Sequence, residues 1–408
     1  MAGLLQGLRI VEHGAFIAGP FSTMSLARFG AEVIRIDPLE GGIDHTRWPV
    51  TAQGRSLYWA GFNKGKKSIR LDLRSPEGQE VAQRIVTAPG PDAGLFVSNL
   101  PAKGWMATDA LRALRGDLIM ISIVGSRDGS TAIDYTVNSA AGFPLATGPV
   151  GETGPINHVL PAWDLLCGMT ASTALLAAER YRQRTGKGQL IRIALADIAF
   201  AAVGDLGLIG EVELNGHGRA RYGNDVYGAF GRDFSTADGR YVMVAAVSQG
   251  QWVALRRATG IEAQVADYEA AHGVDLMSDT CRFEARDAIA AMMQPWFGGQ
   301  TLETIRSLLD ANKVCWGPYQ TFEQMVTEDP RCSTKNPLFD AVDHPGIGTI
   351  LTPASPVDFQ EGGAVAACVT PLLGQHSDEI LTDLAGLSDG EIARLHDKGV
   401  VAGTDPIG

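Results

Sequence analysis

An aspartate stands at the head of a long helical pattern. Asp164, within HVLPAWDLLCGM, precedes Leu165, Leu166, Met169, Leu175 and Leu176, which fall mostly at helical spacings, and AERYRQR supplies a polar end. Two readings of this residue stand side by side. As a helix N-cap, its carboxylate accepts a backbone N–H and complements the helix dipole. As a covalent nucleophile it must be ionised when it attacks, and a helix N-terminus favours the ionised form. Trp163 and Leu165 beside it can restrict water, which protects a reactive acyl intermediate from hydrolysis.

Other segments carry weaker chemistry. In AFIAGPF, Gly19 lets backbone approach a ligand, Pro20 suits a first helical position, and the free N–H groups there can face a phosphate or oxyanion, although a plain tight turn is the commoner explanation of a lone Gly-Pro. NKGKK packs Lys64, Lys66 and Lys67 together, either as a solvated turn or as a phosphate clamp, with Arg35, Arg47, Lys103 and Arg127 as further cationic candidates. TGKGQ reads as a helix C-cap and turn. The eight histidines form neither HxxxH nor HExxH, so no metal site is expected. There is no GxSxG elbow, and no GxGxxG follows the first strand, which removes the serine-hydrolase and nicotinamide readings.

These residues need elements to hold them. Strand patterns in GLRIVEH, EVIRID, the end of LYWAGFNKGKKSIRLDL, AGLFVSNL and DLIMISIVG alternate with helical STMSLARFGA and with SPEGQEVAQRIV, which Ser75 caps. Such alternation predicts a parallel sheet in an α/β layer structure of Rossmann-like type. LIRIAL follows the Asp164 helix as another strand. The character then changes, and 225–325, with GRYVMVAAV, SQGQWVALRRATG and TLETIRSLLDANK, reads as a smaller α+β domain. A helical tail, 344–408, returning to the large domain whose first part is 1–205 would make the smaller domain an insertion.

Composition sets the limits. The chain has 408 residues, 45% hydrophobic and 20% charged, which is globular, and long enough that two domains are expected. A net charge of −12 argues against a nucleic-acid partner, and any polyanionic ligand must be held by local positive charge. No apolar run is long enough for a membrane span, and the N-terminus shows no secretory signal. Five scattered cysteines without a CxxC pair fit a reducing cytoplasm.

Taken together, the motifs resemble the family III CoA-transferases, the group that includes formyl-CoA and carnitine CoA-transferases and the α-methylacyl-CoA racemases. GLRIVEHGAFIAGPFSTMSLARFGAEVIRID is similar to that family's opening strand, Gly-Pro turn, helix and second strand. GGIDHTR, NKGKKSIRLDL, SNLPAKG, DYTVNSAAGFPLATGP, HVLPAWD, RTGKGQLIRIAL, FSTADGRYVMVAA, VCWGPYQTFEQM and LLGQHSDEIL follow in the family's order, so the likeness runs nearly end to end.

The resemblance implies a Rossmann-like large domain with an inserted small domain, two chains interlocked as a homodimer, and an acyl-CoA thioester substrate. It places the nucleophile on Asp164, which would form an acyl anhydride and then an aspartyl-CoA thioester, with no cofactor beyond the CoA of the substrate. Thr131, four residues before Tyr135, stands where the racemases are expected to carry a base, so transfer is favoured over racemisation. The successive glycines of formyl-CoA transferases are also absent. RWPVT, YWAGFNKGK, DYTVN, NHVLPAWD and YGAFGRDF are similar to the branch that moves CoA from carbon 1 to carbon 4 of mesaconate (2-methylfumarate), an isomerase in net outcome. Substrate contacts are expected from Phe16, Ile17, Ala18, Arg47, Asp134, Tyr135, Asn138 and Arg232. CoA contacts are expected from Arg35, Lys66, Lys67, Asn99, Lys103 and Arg127. The alternatives are CoA exchange between a dicarboxylyl-CoA donor and a separate free carboxylate, and a non-catalytic CoA-binding protein.

Overall fold

The computed structural model describes residues 3–362 and 365–405. In chain order its strands are β1 (Arg9–Glu12), β2 (Glu32–Pro38), β3 (Lys67–Leu71), β4 (Leu95–Ser98), β5 (Ile119–Val124), β6 (Leu190–Ala194), β7 (Phe230–Ser235), β8 (Tyr241–Ala246), β9 (Cys315–Pro318), β10 (Phe339–His344), β11 (Gly348–Pro353) and β12 (Val401–Ala402). The chain divides into two compact units, one of residues 1–141, 159–209 and 330–408, the other of residues 142–158 and 210–329. The end of the expected returning tail, residues 406–408, lies outside the described residues.

In the first unit seven strands form one sheet, ordered β12-β3-β2-β1-β4-β5-β6. All neighbours are parallel except β12, which runs antiparallel to β3. This is a mixed α/β fold with a parallel central sheet, as the alternating pattern predicts. A parallel sheet covered on both faces favours strands that are apolar nearly throughout, and β5, IMISIV, is such a run apart from Ser122. On one face Val11, Ile36, Ile69, Phe96 and Met120 pack with Val81 and Ile85 of the helix Pro76–Val86 and with Ile380 and Leu381 of the tail. Ser75 caps that helix, its hydroxyl accepting the Gly78 N–H at 3.0 Å.

The Rossmann-type order has one decisive consequence. Connections from β1 and from β4 leave in opposite directions across the sheet, so a crevice opens beyond their carboxyl ends. The helices Ala18–Ala27 and Ala162–Thr185 flank that crevice and press together at a glycine. A Cβ on Gly168 would lie 3.0 Å from the Ala18 carbonyl oxygen and 3.0 Å from the Phe21 ring. One turn on, the Ser172 hydroxyl donates to the Ser22 carbonyl at 2.8 Å.

Two helix boundaries differ from the sequence reading. The first helix begins at Ala18, so Pro20 is its third residue; having no N–H to lose, Pro20 is tolerated throughout a first turn. The long helix begins at Ala162 behind Pro161, so Asp164 lies within the first turn and is not its cap.

The second unit holds the antiparallel sheet β7-β8-β9. Its core joins Phe230, Val242 and Val244 to Trp252, Ile289 and Phe297, and Phe234 stacks on Phe297 with ring centroids 4.3 Å apart. Residues 142–158, within the stretch 1–205 read as large domain, group with this unit instead. Main-chain pairing explains it: Gly223 N–H donates to the Gly148 carbonyl at 3.2 Å, and Arg221 donates to the carbonyls of Pro144, Leu145 and Gly154. The unit resumes at 210, ahead of the expected 225.

The Gly168 contact gives a test. Replacing a helical glycine by alanine ordinarily gains about 1 kcal/mol of propensity, whereas overpacking a tight contact costs roughly 1–3 kcal/mol. Gly168→Ala is therefore expected to be neutral or destabilising in chemical denaturation, and Gly168→Val clearly destabilising. A stabilised alanine variant would show that the two helices have room to spare.

Candidate active site

The crevice is a cavity of about 560 Å3 within the first unit. Its walls come from the segments that follow four strands: Phe16, Ile17 and Ala18 after β1, Asn99 and Leu100 after β4, Gly125 and Asp134 after β5, and Leu195 after β6. Asp164, Arg47, Tyr58 and Tyr135 complete the polar lining. Ile43, Trp48, Ile133 and Val159 add apolar surface, and all four are largely exposed.

Asp164 owes its setting to Asp134. The Oδ2 atom of Asp134 accepts the N–H groups of Trp163 at 2.8 Å and Asp164 at 3.1 Å, so the long helix is capped from another helix, Asp134–Ala140. Asp134 is buried, and its Oδ1 has no hydrogen-bond partner. Asn138, one turn on, accepts the Trp163 indole N–H at 3.1 Å and so braces the same helix start from behind. The Asp164 carboxyl is thereby left free to face the cavity. Burial, and then the charge of Asp134, push its pKa up to about 6. The expected cap effect on Asp164 is thus reversed: Asp134 occupies the cap, and its charge makes Asp164 more basic. A more basic carboxylate is the stronger nucleophile once ionised. Cys167, a turn below, is pushed up to about 12 by burial and by Asp164, so its thiol is inert.

Across the cavity, the Arg47 guanidinium lies 5.3 Å from the ring centroid of Phe16 and 5.4 Å from that of Tyr58. No carboxylate of the described residues forms a salt bridge with it. Burial pushes the Tyr58 hydroxyl pKa upward against the pull of Arg47, and Asp164 and Asp44 add to the rise, so the phenol stays protonated and able to donate. Sequence reading missed Tyr58. LYWAGF reads as part of a strand-bearing segment, but Leu57–Phe62 is a short helix, capped by Ser56 through the Trp59 N–H at 3.0 Å.

The loop after β1 is held from both sides. The Asn99 amide accepts the Ala15 N–H at 2.9 Å and donates to the Ala15 carbonyl at 2.7 Å. Gly14 is required there, since a Cβ would sit 2.7 Å from the Asn99 oxygen. Phe16 has φ of 62°, left-handed and costly for a large side chain. No side chain caps the helix that follows, which leaves its first N–H groups without a side-chain acceptor, and Ile17 and Ala18 at this helix start line the cavity.

Several expected phosphate contacts are corrected. Arg35 is fully buried and binds Glu12 at 2.9 Å, Asp37 at 2.9 and 3.0 Å, and Asp44 at 3.3 Å. Lys66 is also buried, donating to Glu12 at 2.7 Å, to the Pro20 carbonyl at 2.9 Å and to Asn63 at 2.9 Å. Burial, partly offset by Glu12, brings its pKa down to about 8. Both cations are consumed by internal carboxylates and have no face for a phosphate. Lys67 bridges Glu32 at 2.8 Å and Glu379 at 2.6 Å. Arg127 pairs with Asp197 at 2.6 Å on the surface. Lys103 is exposed on the loop after β4. Arg232 belongs to the second unit, where Asp225 at 2.5 Å and Asp287 at 2.8 Å already match its charge. Thr131 does not line the cavity; Ala132 and Ile133 do, and no histidine is among the lining residues. Among the described residues, no cluster of His, Cys, Asp or Glu could hold a metal ion, and no helix is long and apolar enough to cross a membrane.

A carboxylate that shares one cavity with an uncapped helix start, at the switch point of a Rossmann-type sheet, suits acyl transfer, and the comparisons agree. Residues 5–377 match the CoA-transferase family III pattern, and the chain belongs to that family. It is 50% identical over 406 residues to the 2-methylfumaryl-CoA isomerase of Chloroflexus aurantiacus, covering 99% of each chain. It is 29% identical to the succinyl-CoA–D-citramalate CoA-transferase of the same organism, over 97% of this chain and 98% of that one. In structure, a CAIB/BAIF family protein from Brucella suis superposes with a TM-score of 0.77 at 23% identity, covering 94% of this chain and 100% of that one. That last likeness shows the shared fold.

The raised pKa of Asp164 makes a prediction for pH dependence. With Asp164 as the nucleophile that the family resemblance implies, attack needs the ionised form, so kcat/KM should fall as pH drops through about 6. Asp134→Asn keeps an acceptor for the helix N–H groups but removes the charge. Its acid limb should move to lower pH, read from a kcat/KM profile. A limb that does not move would mean that Asp134 does not control Asp164.

Proposed function

We propose that the chain moves CoA from carbon 1 to carbon 4 of mesaconyl-CoA (2-methylfumaroyl-CoA) by intramolecular transfer. Asp164 attacks the thioester carbonyl and expels CoA thiolate, giving a mixed anhydride. The thiolate attacks the aspartyl carbonyl of that anhydride, releasing mesaconate and leaving an Asp164–CoA thioester. The carbon 4 carboxylate then attacks this thioester, and the expelled thiolate takes the carbon 4 acyl group and frees Asp164. Every step passes through an oxyanion, for which the N–H groups of Ile17 and Ala18, at an uncapped helix start that lines the cavity, are the backbone donors. No cofactor beyond the CoA of the substrate enters.

The observation that carries this reading is Arg47 in the same cavity as Asp164. An arginine without a carboxylate partner among the described residues, seated on two aromatic faces, suits the free carboxylate of a dicarboxylate substrate. It allows mesaconate to stay bound while its other end turns towards Asp164. The 50% identity to a 2-methylfumaryl-CoA isomerase supports the substrate. By the family resemblance, the second unit is an inserted domain and two chains interlock as a homodimer.

Unlabelled mesaconyl-CoA incubated with labelled free mesaconate provides the test. CoA should migrate between the two carbons without label entering the thioester; rapid entry would establish exchange between separate acids instead. Asp164→Ala should lose activity by on the order of 10³-fold or more while remaining folded. Hydroxylamine trapping with mass spectrometry should mark Asp164, and unmarked protein would favour a CoA-binding module without catalysis. Arg47→Gln should weaken the hold on mesaconate and admit label.

A further inference from the structure

Asp44 lies outside the set of residues that touch the cavity, yet two walls of the cavity converge on it. Its Oδ2 accepts the Phe16 N–H at 3.0 Å, at the residue held in the left-handed region with φ of 62°. Its backbone carbonyl accepts the Arg47 N–H at 3.2 Å. The carboxyl is buried and is gripped by the Arg35 guanidinium at 3.3 and 3.4 Å. Arg35 in turn is anchored by Glu12 at the end of β1 and by Asp37 in β2. Gly42 permits this approach, because a Cβ there would lie 2.7 Å from Asp44 Oδ1.

From this geometry we infer that Asp44 is a positioning residue, which sets the oxyanion-facing loop and the carboxylate-binding arginine in register with one another. The argument rests on the function proposed above and adds a residue to it. Phe16 would relax out of the left-handed region if nothing held its N–H. Relaxation would turn the peptide that leads into Ile17 and Ala18 and withdraw the ring on which Arg47 lies. One side chain therefore governs both the donors at the reacting carbonyl and the cation at the far carboxylate. The sheet strands supply the rigidity, since Arg35 lies in β2 and is anchored to Glu12 of β1 and Asp37 of β2.

The test compares Asp44→Ala with Asp44→Asn, both in the full-length protein. Asparagine retains an acceptor for the Phe16 N–H; alanine does not. Wild type is first mixed with mesaconyl-CoA and hydroxylamine to count active sites through labelling of Asp164. An unlabelled wild type would sink the proposed function itself, independently of Asp44. With labelling established, the rate of mesaconyl-CoA conversion per labelled site should fall on the order of 10²-fold in Asp44→Ala, with the loss in kcat, and the asparagine variant should recover most of it. A crystal structure of the alanine variant should show Phe16 outside the left-handed region. If Asp44→Ala does not fold, Asp44→Ser takes its place, since its hydroxyl is one bond too short to hold Phe16. Undiminished turnover per labelled site in a variant lacking the acceptor, or Phe16 unchanged in its structure, would overturn the inference. So would an asparagine variant as impaired as the alanine.

Discussion

One buried guanidinium organises this molecule. Arg35 meets three carboxylates, those of Glu12, Asp37 and Asp44, with almost no exposure to solvent. Burial works against ionisation of Glu12, but Lys66 and Arg35 outweigh it and hold its pKa below the ordinary range. Asp37 goes the other way, to about 6, because burial and Asp44 prevail over Arg35. Breaking such a buried set by removing one partner costs roughly 3–5 kcal/mol, since the remaining charge has no water to turn to. The cluster thus locks β1, β2 and the Asp44 loop into one arrangement, and the same cluster reaches the first active-site helix through Lys66 and the Pro20 carbonyl.

The cavity takes its shape from that arrangement and from the closeness of two helices at Gly168. Neither helix carries its own side-chain cap. The first leaves its N–H groups unclaimed at the cavity wall, while the second is capped by Asp134 from elsewhere in the chain. That difference divides the labour between them. In the proposed reaction one helix start would offer donors for a developing negative charge; the other presents a carboxylate whose basicity is raised by burial and by a neighbouring charge. The same logic explains why Asp164 need not be its own helix's cap. A cap carboxylate would spend its oxygens on backbone N–H groups, whereas the nucleophilic role proposed for Asp164 needs a free one.

An acidic chain that handles a polyanionic substrate needs local cations, and the structure shows why counting lysines and arginines is a poor guide to them. Of the cations read from the sequence, Arg35 and Lys66 are internal struts, Lys67 and Arg127 are paired on the surface, and Arg232 is paired within the second unit. Only Arg47 lines the cavity. A sequence shows that a charge exists; it does not show whether a carboxylate remote in the chain has already claimed it.

Much about this protein was legible in the sequence by itself. Apolar runs alternating with capped helices pointed to the parallel sheet, because a strand buried on both faces is apolar at most positions, and the charges that interrupt β1 and β2 are paired with one another. The order of motifs from GLRIVEH to LLGQHSDEIL determined the family. That resemblance also singled out Asp164, whereas the local pattern, a carboxylate at the start of a long helix, suggested only a cap, a place that Asp134 fills. Tertiary structure alone decided the environment of that residue. Asp134 is thirty residues away and Asp44 far earlier still, and their effects on Asp164, Phe16 and Arg47 arise from distances that only folding creates. Backbone conformation at Phe16 and the passage of residues 142–158 to the second unit were equally hidden. Each depends on a hydrogen-bond partner distant in the chain, and local residue pattern carries no record of such partners.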